Sequence, residues 1–153
     1  MGPVPMPPAA RLEAAYRATR YRLASAGGPI VLEVGARAPA LDRLLAAAGA
    51  RRWAWLTAVN PGARQLGAAE NAARLAALDA ELARGGRAAL PGVAVDPAGA
   101  WPDEESRLVL DLDAGTARAL AERFGQVAFL AGEAGAEVRL EWTRSAPAGP
   151  ARG

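Results

Sequence analysis

The chain of 153 residues contains no cysteine, no histidine and no lysine, and only 5% of it is aromatic. Without cysteine there is no disulfide, no thiolate nucleophile and no thiolate metal site. Without histidine there is no Ser-His-Asp arrangement and no imidazole base or ligand. Without lysine there is no Schiff base and no phosphate-gripping lysine of a Walker loop. Carboxylates, arginine, tyrosine, hydroxyls and backbone donors remain. They leave room for carboxylate acid–base work, or for a hard cation such as Mg²⁺ held by oxygens. No metal-ligand set and no other cofactor motif is legible.

What is present is mostly small. Of 79 residues scored hydrophobic, 41 are alanine, so 38 larger ones must build the core. The 18 basic residues are all arginine and leave a net charge of +2. That balance creates no global field demanding nucleic acid. Arginine-only, alanine-rich usage looks like a GC-rich coding bias. Residues 1–10 (MGPVPMPPAA) hold four prolines and no basic flank, so no secretory signal is expected. No apolar run is long enough to span a bilayer, and a cytoplasmic location is the expectation. The length suits one domain. Residues 1–8 read as a disordered leader, 9–143 as one α/β domain and 144–153 (RSAPAGPARG) as a disordered tail.

Periodicity predicts helices over 11–23, 39–48, 68–84 and 116–124, and strands over 30–34, 52–59, 87–95, 107–112, 127–130 and 138–142. The helix over 68–84 carries Leu75, Leu78 and Leu82 on one stripe and stops at Gly85-Gly86. Helix–strand alternation in the first half favours parallel pairing, and the second half favours hairpins. The expected fold is α/β (α+β): a single domain with a mixed sheet of five or six strands and about four helices.

Uncharged polar side chains are rare, and several stand at element ends. Asn60 follows a strand and precedes Pro61. It reads either as an amide at a strand's C-terminal end, where open sheets place ligands, or as an Asx-type turn starter. Glu70 suits a capping position and an ion pair with Arg74 four residues on, or a site role. Asn71 precedes Leu75, Leu78 and Leu82 by 4, 7 and 11 residues, which points it inward at the first turn of its helix. There it would pin the preceding loop or touch a ligand. Glu105 and Ser106 lead into the strand over 107–112. Alternation places Ser106 with Leu108 and Glu105 with Arg107, giving a carboxylate at a strand end or a solvated acidic turn. Gln126 opens a strand after Gly125 and could bond a sheet edge or face the same cleft as Asn60. Tyr16–Arg22 (YRATRYR) interleaves rings and guanidinium groups, and reads as amphipathic packing with snorkelling arginines ahead of nucleic-acid contact. Trp53 and Trp55 share one strand face, as core or subunit interface.

Three segments carry a resemblance: TAVNPGARQLGAAENAARLAAL (57–78), WPDEESRLVL (101–110) and AERFGQVAFLAGEAG (121–135). In combination they resemble the bacterial domain-of-unknown-function family 3293. The resemblance marks Asn60, Pro61, Glu70, Asn71, Glu105, Ser106, Gly125 and Gln126. Gly67 departs from the serine expected there, and Val127 from an expected Asn or Ser. The resemblance implies no activity.

The leading expectation is a small binding module. Asn60, Asn71, Glu105 and Gln126 would line a polar cleft at strand ends, with Ser106 beside them. Arg64 or Arg74 would meet an anionic small molecule. One alternative is an enzyme using Glu70 and Glu105, with or without Mg²⁺, on a phosphorylated or nucleotide-like substrate. The other is a protein–protein interaction domain with a tryptophan-rich surface patch. Oligomeric state is not legible.

Overall fold

The computed structural model describes residues 8–146, which form four α-helices and seven strands. In chain order they are α1 (Pro8–Ala18), β1 (Arg20–Leu23), β2 (Ile30–Leu32), α2 (Pro39–Ala48), β3 (Arg52–Leu56), α3 (Ala68–Arg84), β4 (Ala89–Val95), β5 (Glu104–Leu110), α4 (Ala114–Arg123), β6 (Ala128–Glu133) and β7 (Arg139–Trp142). The expected leader up to residue 7 and the tail from residue 147 lie outside the described residues. Pro8 already opens α1. No helix among the described residues is long and apolar enough to cross a membrane.

The middle helices follow their sequence signals. Pro39 sits in the first turn of α2, and Gly49 closes it at φ 70, a left-handed conformation that glycine adopts without a Cβ clash. The α3 stripe of Leu75, Leu78 and Leu82 is buried as its spacing requires. α4 starts two residues earlier than expected because Asp113 caps it. The Asp113 carboxylate accepts from the Thr116 hydroxyl at 2.7 Å and the Thr116 amide at 3.0 Å. Those bonds hold its pKa below the usual carboxylate value, because they favour the charged form.

Two expectations about the sheet are corrected. Among the described residues there are seven strands, not five or six, and every hydrogen-bonded strand pair is antiparallel rather than mixed: the order is β2-β1-β4-β5-β3-β6-β7. The additional strand is β1, which the sequence merged into the first helix. Its burial alternates, with Tyr21 and Leu23 inward and Arg20 and Arg22 outward. The parallel expectation failed for a topological reason. In each of β2-α2-β3, β3-α3-β4 and β5-α4-β6 the two strands do run in the same direction. However, at least one strand of opposite direction lies between them: β5 separates β3 from β4, and β3 separates β5 from β6.

Helices cover both sheet faces. On one, the α3 leucines and Ala117, Ala121 and Phe124 pack against Ala54, Leu56, Val109 and Ala131. On the other, Leu41 and Leu45 of α2 pack with Tyr21, Leu23, Trp53, Trp55, Leu108 and Leu130. The two tryptophans need glycine beside them. A Cβ on Gly132, the register partner of Trp53, would lie 2.6 Å from the Trp53 ring. A Cβ on Gly92 would lie 2.3 Å from Cη2 of Trp55. An alanine-rich chain thus fills its core by laying wide rings over bare backbone.

Candidate functional site

The segment that follows β3 is built from local bonding. Thr57 Oγ1 donates to the Glu105 carbonyl at 2.7 Å, which ties the segment to β5. Asn60 adopts the left-handed region, φ 49 and ψ 57, which asparagine tolerates better than most residues. Its Oδ1 accepts from the Leu66 amide at 2.9 Å and from Asn71 Nδ2 at 2.8 Å. The Asn60 amide donates to Asn71 Oδ1 at 2.9 Å. Arg74 Nε donates to the Ala58 carbonyl at 2.6 Å, and Arg74 Nη2 donates to the Phe124 carbonyl. Gln126 Nε2 reaches the Val59 carbonyl at 3.0 Å, and the Gly62 amide donates to the Gly125 carbonyl at 2.8 Å. Gly125 sits at φ 70, with its Cβ position 3.0 Å from Pro61 Cβ, so the turn and the loop touch there. Asn60, Asn71, Arg74 and Gln126 therefore clamp the loop over 57–66 against the turn after α4.

On the α1 side of this clamp the sheet does not close. A cavity of about 330 Å³ lies among α1, the ends of β3, β5 and β6, and the connection between β4 and β5. Five aromatic residues line it: Tyr16, Tyr21, Trp55, Trp101 and Phe129. Tyr21 meets Trp55 edge-to-face at 5.5 Å, and Tyr16 meets Trp142 likewise at 5.8 Å. The polar lining includes Asn60, Glu104, Ser106 and Gln126. Asp96 also lines the cavity, but its carboxylate accepts the amides of Ala98, Ala100 and Trp101, which folds the connection. That fold delivers Trp101, whose Nε1 donates to Glu104 Oε2 at 2.9 Å. Asn60 Nδ2 donates to the same oxygen at 2.7 Å.

Burial, and secondarily the charge of Glu104, pushes the Tyr16 phenol up to about 12. Burial, followed by Tyr16, also pushes Tyr21 upward. Both effects disfavour the phenolate. These are the chain's two tyrosines, so an ultraviolet titration reads them directly. No tyrosinate should form as the pH passes roughly 10, the ordinary tyrosine value. The Tyr16 midpoint should fall near 12. A tyrosine titrating at its ordinary value in the folded protein would mean that α1 is not seated on the sheet.

The segment bearing this clamp and most of this lining is the part of the chain that a family model matches. Residues 56–129 match the family model of DUF3293, a protein of unknown function. No curated protein and no solved structure gives a match. The DUF3293 segment begins within β3 and ends within β6, so it contains the whole clamp, while α1 and its tyrosines lie outside it.

Within the DUF3293 segment the expected site residues divide. Asn60, Ser106 and Gln126 line the cavity, and Asn71 lies behind Asn60, pinning the loop. Arg74 turns to carbonyl oxygens and not to Glu70, so the expected ion pair is absent and its guanidinium is committed. Arg64, Glu70 and Glu105 are exposed and do not line the cavity. No three carboxylates gather into a cation site among the described residues. Trp53 and Trp55 are buried, so they supply no surface patch. Sequence reasoning missed Glu104. β5 begins at Glu104, three residues before the expected start, and alternation then puts Glu104 on the face of Ser106 and Leu108. It missed Tyr16, Tyr21 and Trp101 because the segment over 16–22 and the connection bearing Trp101 are far apart in the chain.

Proposed function

We propose that the protein is a binding module for a small, largely apolar molecule with one polar end, held in the cavity beneath α1. The observation that carries this reading is the cavity itself: about 330 Å³, lined by five aromatic residues, with a few polar groups among them. Concave, mainly apolar sites with a few convergent polar groups are the usual form of small-molecule sites. The clamp supports the reading by fixing Asn60 and Gln126 before any ligand arrives, so little ordering is left to do on binding. An acid–base reaction here would draw on the lining carboxylates Glu104 or Asp96 rather than on Glu70 or Glu105, which are exposed.

The test is a screen of single-ring fragments by ligand-observed NMR, repeated on Ala94→Leu. Ala94 lines the cavity from β4, and the larger side chain would occupy it. Fragments are expected to bind the native protein with Kd of about 0.1–1 mM, the range for ligands of a dozen atoms. Ala94→Leu should abolish that binding and still melt cooperatively. If no fragment binds, or if those that bind ignore Ala94→Leu, the cavity is not a ligand site.

A further inference from the structure

We infer that the molecule held in this cavity is an organic cation, a primary amine on a compact apolar body, with its ammonium group on Glu104. The inference rests on the cavity being a ligand site, and it reverses the sign of charge expected from the sequence. It follows from which polar atoms remain uncommitted. Gln126 Nε2 is already donated to the Val59 and Phe124 carbonyls. Asn60 Nδ2 is donated to Glu104, and Ser106 Oγ to the Glu104 carbonyl at 3.1 Å. Apart from the Tyr16 hydroxyl, the hydroxyl and amide side-chain donors that line the cavity are therefore engaged inside the protein. Among the described residues no arginine lines the cavity, so an anion would meet Glu104 without compensation.

The acceptors stand differently. Both carboxylate oxygens of Asp96 are engaged by backbone amides. Glu104 differs: among the described residues both its side-chain hydrogen bonds converge on Oε2. Oε1 is left to accept from a ligand, and a charge-assisted N–H bond to a carboxylate is stronger than a neutral one. Tyr16, Tyr21, Trp55 and Trp101 surround the same space with electron-rich rings, which attract a cation and cover its apolar body. A half-buried carboxylate among aromatic rings is suited to an ammonium group with hydrocarbon behind it.

Three probes of one shape separate the charge states: 2-phenylethylamine, 2-phenylethanol and 3-phenylpropanoate. Their binding is measured by isothermal titration to the full chain, to Glu104→Gln and to Ala94→Leu. The amine should bind at least about tenfold more tightly than the alcohol, the scale of a desolvated cation among aromatic rings. The carboxylate should bind more weakly than either. Glu104→Gln keeps an oxygen acceptor and the side-chain shape, and should bring the amine and the alcohol level. The comparison of probes on the unaltered chain stands even if that variant unfolds. If the alcohol or the carboxylate binds as tightly as the amine, or if the amine's advantage survives Glu104→Gln, the cation assignment is overturned. The cavity reading would survive that result provided Ala94→Leu abolished binding of the probes. If none of the three binds and the fragment screen is blank as well, both fall together.

Discussion

Gly92→Ala is expected to destabilise the fold by about 3 kcal/mol, the upper end of what overpacking with one extra carbon does. In a chain of this length that corresponds to a fall in Tm of roughly 8 °C. Gly92 has no left-handed φ, so the objection to alanine is one of space alone. The new Cβ would sit 2.3 Å from Cη2 and 2.8 Å from Cζ3 of Trp55, and 3.0 Å from the Arg22 carbonyl oxygen. Backbone lies on one side and a ring on the other. Trp55 is buried, and its edge-to-face contact with Tyr21 leaves it little freedom to swing. The cause can be isolated with the pair Gly92→Ala and Trp55→Phe, since phenylalanine lacks the offending ring. The double variant should be more stable than the sum of the single effects by at least about 1 kcal/mol, a coupling typical of residues in contact. Urea denaturation of the four proteins measures it. A Gly92→Ala protein as stable as its parent would mean that Trp55 does not lie over that strand.

Asn60→Ala should be comparably damaging, by about 3 kcal/mol, for a different reason. Part is conformational: a left-handed alanine costs roughly 1–2 kcal/mol. The rest comes from the partners left behind. The Leu66 amide and Asn71 Nδ2 lose their acceptor, and an orphaned buried donor costs roughly 1–3 kcal/mol. Asn60→Gly separates the two parts. Glycine accepts φ 49 without strain, so any destabilisation that remains measures the side-chain bonds. Hydrogen exchange gives a local readout, in which the Leu66 amide should lose protection in both variants. If Asn60→Gly were as stable as the parent, with Leu66 still protected, the clamp would not depend on this side chain.

The helices and the place of Asn71 in the clamp were largely legible in the sequence, and the cavity was not. The α2 and α3 boundaries follow from Pro39, Gly49 and the leucine stripe, because a helix end is a local event. Asn71 was placed inward by spacing alone, and its bonds to Asn60 and Leu66 are the loop-pinning role its position suggests. β1 was lost because four alternating residues directly after a helix carry too little signal to break a helical reading. Pairing was misjudged because strand direction depends on the connections, whereas neighbours depend on which strand slips between. Glu104 was overlooked in favour of Glu105 by an error of three residues in where β5 begins. Arg74 was assigned to a ligand or to Glu70 because nothing in the sequence shows that two carbonyl oxygens converge on it.

The place of β3 has a consequence for assembly. β1 and β2, β4 and β5, and β6 and β7 are pairs of strands adjacent both in sequence and in the sheet, and β1 also joins β4. β3 alone pairs with no sequence neighbour; it bridges β5 and β6, with contacts such as Trp53 to Leu110 and Arg52 to Glu133. Remove it and the hydrogen-bonded sheet falls into a four-stranded piece and a two-stranded piece. Contacts so distant in the chain carry a large loop-closure entropy. The loop bearing Asn60 leaves β3 directly, so the floor of the cavity exists only once β3 has joined the two pieces. Completing the sheet and forming the cavity are therefore a single event in the folding of this chain.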